Sequence, residues 1–63
     1  MDKPVIKVLG EDGNIFGIIA KAQRALKEQG RSEDADEVFS VVSKQAESYE
    51  EALDIIQDYV EFI

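Results

Sequence analysis

Cysteine and histidine are both absent from this 63-residue chain. Without cysteine there is no disulfide and no thiolate metal ligand. Without histidine the standard zinc sites lose a principal ligand, and a serine triad loses its base. Proline occurs once, at Pro4, the start of an apparent strand, where a missing N–H does least harm. Phosphate-binding patterns of the form Gly-x-x-x-x-Gly-Lys or Gly-x-Gly-x-x-Gly are missing. No apolar run approaches the ~20 residues of a membrane-spanning helix; the longest, around Ile18-Ile19-Ala20, is broken by Lys21 and Arg24. Met1-Asp2-Lys3-Pro4 lacks the apolar stretch of a secretory signal. These absences give the expectation of a cytoplasmic, non-enzymatic protein with no cofactor, no metal and no membrane attachment.

A chain this short makes at most one domain. Its core rarely supplies more than ~3–5 kcal/mol of net stability. With disulfides and zinc gone, close helix packing or oligomerisation is the expected supplement. The net charge is −7, and it is uneven. Residues 15–31 carry Lys21, Arg24, Lys27 and Arg31 against Glu28, giving +3; residues 32–63 carry ten acids against Lys44, giving −9. Helix faces of opposite sign within one fold account for this pattern, and an acidic surface facing a partner is the sharper reading.

The β-branched run Val5-Ile6-Lys7-Val8-Leu9 reads as a strand. Gly10-Glu11-Asp12-Gly13-Asn14 is turn chemistry, with Asn14 or Asp12 able to cap the helix that follows. That first helix, about 14–29, sets Ile15, Ile18, Ile19, Ala22, Ala25 and Leu26 on one face, with Phe16 at its edge. Ala22 and Ala25 are small enough for a neighbouring helix to approach closely. Gly30 is placed to end it. Ser32 is the expected cap of a second helix, about 33–46, whose core face is Ala35, Val38, Phe39, Val42 and Ala46. Ser48-Tyr49-Glu50-Glu51 has the form of a capping box. The third helix, about 49–61, buries Tyr49, Ala52, Leu53, Ile56, Tyr59 and Val60, with Ile55 and Phe62 as a flanking stripe. The expected fold is therefore mainly α: a compact three-helix domain with a short N-terminal β-strand. The strand poses a problem, because its N–H and C=O groups need partners. Only Tyr59–Ile63 is available within the chain, and its spacing fits the helix better.

Little in the sequence points to catalysis. Ser32, Ser40, Ser43 and Ser48 read as caps or exposed helix positions. Glu11-Asp12-Gly13-Asn14 superficially suggests a calcium loop, but Ile15, Phe16 and Ile18 follow where further oxygen ligands belong. Glu50, Asp54, Asp58 and Glu61 recur at helical spacing as a solvated face. Helices 1 and 2 with their tight turn resemble a helix-turn-helix, yet the second helix would bring Glu33, Asp34, Asp36 and Glu37 against phosphate. The charge argues against direct nucleic-acid binding.

The stretch Val8-Leu9-Gly10-Glu11-Asp12-Gly13-Asn14-Ile15-Phe16, with Ala25-Leu26 and the later Tyr59-Val60-Glu61, resembles a family of short bacterial and phage-borne proteins. Their common feature is a Leu-x-Gly-x-Asp-Gly-Asn-x-Phe start. The resemblance implies a bacterial or mobile-element origin and a small accessory role, and it carries no catalytic residue over.

By elimination of catalytic motifs, the expected function is a protein-interaction or regulatory module. The alternative is an acidic nucleic-acid mimic that occupies the basic groove of a DNA-binding protein. The expected partner is another protein or a second copy of the chain. The candidate interface is the strand, through Val5, Lys7 and Leu9, together with Val41, Ile55 and Phe62 beside the core faces. A two-fold axis would pair the strand with its copy and bury that stripe.

Overall fold

The computed structural model of the protein describes residues 3–8 and 14–63. Their elements run β1 (Val5–Ile6), α1 (Ile15–Glu28), α2 (Ser32–Gln45), α3 (Tyr49–Gln57) and β2 (Glu61–Phe62). Residues 9–13, which include Glu11, Asp12 and Gly13 of the calcium-loop comparison, lie outside the described residues.

Each helix start has a local chemical cause. The Asn14 side chain accepts from the Gly17 N–H at 3.1 Å, capping α1 as its sequence suggests. At the other end the N–H of Gly30 donates to the Lys27 carbonyl, and that of Arg31 to the Leu26 carbonyl, at 3.0 and 2.8 Å. This is the paired bonding of a Schellman turn. It needs a left-handed residue, supplied by Gly30 at φ +75°.

The turn is so tight that α2 begins one residue earlier than expected. Ser32 is its first helical residue, and Arg31 takes the cap position without a side-chain cap. Instead the Arg31 guanidinium, through both Nε and a terminal nitrogen, contacts Asp34 Oδ2 at 2.8 Å. The ion pair spans the first turn, where an acid also complements the helix dipole. After α2 the chain turns extended at Ala46, and Ser48 Oγ accepts from the Glu51 N–H at 3.1 Å to start α3.

The third helix is shorter than its periodicity implies. It stops at Gln57, not near residue 61, and Glu61–Phe62 pairs in parallel with β1. Val5 lies opposite Glu61 and Ile6 opposite Phe62. The Glu61 N–H donates to the Pro4 carbonyl at 2.8 Å, Ile63 to Ile6 at 3.0 Å and Val8 to Ile63 at 3.3 Å. The physical reason is the orphaned backbone of β1, which helix formation by residues 59–63 would have left unpaired. Tyr59-Val60-Glu61-Phe62 is also rich in aromatic and β-branched residues that suit a pleated surface. Parallel strands need a long crossover, and here all three helices form it.

The core comprises Ile6, Ile18, Ile19, Ala22, Leu26, Ala35, Val38, Val42, Ala52, Ile56 and Val60. Helices α1 and α2 make the most extensive helix–helix contact, with Ala22 and Ala35 both fully buried. Gln23 Nε2 reaches across to the Ala35 carbonyl at 3.0 Å. Close approach of these helices leaves a narrow buried seam of Ala35, Val38 and Val42 on α2. Phe39, placed in the core by periodicity, flanks that seam and is 45% exposed. Tyr49 likewise stands at the rim, 39% exposed. Leu53 is half-buried beside the Ala52–Ile56 seam of α3. Two lysines tie the strand layer down: Lys3 Nζ donates to the Gln57 carbonyl at the end of α3, and Lys21 Nζ to the Lys7 carbonyl, each at 3.0 Å.

Candidate functional site

The residues expected to form an interface divide into three groups. Val5 on β1 and Lys7 just beyond it are exposed. Ile55 and Phe62 are half-buried and pack against the core, so their stripe faces inward more than outward. Val41 is half-buried on α2, apart from the core cluster, and Leu9 lies outside the described residues. Pairing of β1 with a second copy presupposes a strand without an internal partner. That premise is corrected by the β1–β2 ladder.

A different surface emerges from the helix packing. Ile15, Phe16 and Ile19 at the start of α1, Val42, Ser43 and Ala46 at the end of α2, and Ser48, Tyr49 and Ala52 at the start of α3 enclose a groove of about 310 Å³. It forms because three helix ends meet there. The N-cap of Asn14 fixes where α1 enters, and the Ser48 cap fixes where α3 turns away from α2. Between those caps the buried seams converge below Ile19, Val42 and Ala52, and the side chains above them are left open to solvent. Phe16 is 70% exposed, the most exposed aromatic ring in the described chain.

The groove's chemistry is nearly all apolar. Its polar side-chain atoms are the hydroxyls of Ser43, Ser48 and Tyr49, and that of Ser48 is engaged by the Glu51 N–H. Among the lining residues only Tyr49 carries a titratable group. Such a surface can bind apolar side chains by excluding water; it offers no acid–base pair.

The clearest electrostatic perturbation lies elsewhere. Burial raises the Tyr59 phenol above its ordinary 10.0, and the carboxylates of Glu37, Asp34 and Asp58 add to the effect.

Phe16 and Tyr49 belong to no expected interface. Their signal in the sequence is slight: Phe16 sits one step off the apolar face of α1, and Tyr49 immediately follows a helix cap. What makes them a surface is the meeting of separate helices. Among the described residues no helix is long and apolar enough to cross a membrane. No protein family, curated protein or solved structure matches the chain.

Proposed function

We propose that the protein is a small, non-enzymatic interaction module that docks another protein through the apolar groove between its three helix ends. The observation that carries this reading is Phe16, a large aromatic side chain 70% exposed on the wall of an open groove. An isolated apolar side chain at a surface needs no explanation. Phe16 is not isolated, because Tyr49 and Ile15 line the same depression. Aromatic residues in such settings supply much of the binding energy at protein interfaces. The reading includes a cytoplasmic setting, where a chain without cysteine forgoes nothing.

The test is affinity purification from the native host with the tagged protein and its Phe16→Ser variant. A partner retained by the first and lost by the second supports groove docking. A nucleic-acid mimic would instead hold its partner through the acidic surface of α2 and α3. Its complex would dissolve at high salt and be indifferent to Phe16→Ser.

A further inference from the structure

We infer that the occupant of the groove is a cationic amphipathic helix. The inference rests on the docking function proposed above and adds the chemistry of the partner. Three observations carry it.

The first is shape. The groove is built from helix ends alone, and no residue of β1 or β2 lines it. Addition of a strand needs an unpaired backbone edge, and the groove walls provide none. Its volume of about 310 Å³ lies at the small end of the ~300–1,000 Å³ of small-molecule pockets. It suits a few inserted side chains, which a helix presents from one face at i, i+3 or i+4, and i+7.

The second is charge. The α1 wall, residues 14–20, carries no charged residue. The opposite wall, residues 43–52, carries Glu47, Glu50 and Glu51 against Lys44, for a net −2. All three acids are exposed, and no ion pair engages them among the described residues. A helix whose apolar stripe enters the groove and whose flanks carry lysine or arginine meets these carboxylates at the rim.

The third weighs against a second copy. A two-fold contact through this face would bring two acidic walls into one interface, in a chain of net charge −7. The basic helix of the protein itself, α1, has its apolar face of Ile18, Ile19, Ala22 and Leu26 already buried. It is not available to a neighbouring copy.

Fluorescence anisotropy with the whole protein tests the proposal. The probe is a labelled helix-forming peptide of leucine and lysine, with leucines at i, i+3, i+4 and i+7. Controls are a scrambled peptide of the same composition and an amphipathic peptide with glutamate for lysine. The expected result is affinity for the first at least about tenfold above both controls. Phe16→Ser should weaken it about tenfold with an unchanged circular dichroism spectrum, since that side chain lies outside the core. Tyr49→Ser should act in the same direction. Equal binding of the scrambled peptide, or no binding, overturns the proposal. Equal binding of the glutamate peptide, still abolished by Phe16→Ser, overturns the charge assignment alone and leaves groove docking standing. Cationic binding indifferent to Phe16→Ser overturns both. Self-association that Phe16→Ser dissolves assigns the groove to a second copy and overturns the cationic partner.

Discussion

The backbone N–H of Glu61 donates to the carbonyl of Pro4 over 2.8 Å, so that the segment after α3 lies against the segment before α1. This bond opens a short parallel ladder that continues through Ile6, Val8 and Ile63. Through it the strand layer closes over one side of the helices, with Ile6 and Val60 both in the core. Replacing Glu61 with proline removes the donor. The expected cost is about 1–3 kcal/mol, because the carbonyl of buried Pro4 is left without its donor. Amide exchange should quicken at Val8 and Ile63 while the amides of α1 and α2 stay protected. Unchanged exchange at Val8 would mean that the ladder does not form in solution.

A pair of substitutions separates the buried seam from its flank. Ile56 is fully buried and Phe39 is 45% exposed. Ile56→Ala should cost ~2–5 kcal/mol, enough to unfold much of a domain this size. Phe39→Ala should cost less than about 1 kcal/mol despite removing more atoms. Denaturant titration of both variants reads the difference. The reverse order would restore Phe39 to the core.

Gly30 stands at φ +75° with nothing within 4 Å of where a Cβ would lie. Gly30→Ala therefore meets no neighbour, and its cost is conformational alone, about 1–2 kcal/mol. Gly30→Asn should cost less, because asparagine tolerates the left-handed region better than alanine. Thermal melting of the two variants checks the ranking.

The Tyr59 phenol is raised by burial first and by the carboxylates of Glu37, Asp34 and Asp58 next. A raised folded value favours the protonated phenol in the native state. That contribution is whole below the unfolded pKa of about 10 and is lost as the pH climbs through the higher folded value. Stability should thus fall on the alkaline side, and Tyr59→Phe should remove that part of the fall. A Tyr59→Phe variant with the same alkaline profile as the parent would show that the phenol is not so placed.

Much of this fold is legible in the residue order, and the part that is not has a definite cause. The spacing of Ile18, Ile19, Ala22 and Leu26 marks α1, and Asn14, Gly30 and Ser48 mark helix ends through local bonds. These are short-range effects that a sequence states directly. The end of α3 is not of that kind. Tyr59 and Val60 continue the helical spacing of Ile56 and also suit a strand. The choice between them is made by β1, far away in sequence, whose backbone needs a partner. The candidate site is hidden for a similar reason. Val5 and Lys7, named from the strand alone, are exposed, but the groove requires α1, α2 and α3 to bring Phe16, Ala46 and Tyr49 together. Periodicity along one helix cannot report where another helix ends.

Backbone amide chemical shifts of the labelled protein, recorded while the leucine–lysine peptide is added, test groove docking most directly. The expected result is a saturable set of shifts centred on Ile15, Phe16, Ser43, Ala46, Tyr49 and Ala52, and absent in the Phe16→Ser variant. Shifts centred instead on β1 and β2, or on the acidic first turn of α2 at Glu33 and Asp34, and unaffected by Phe16→Ser, would contradict it.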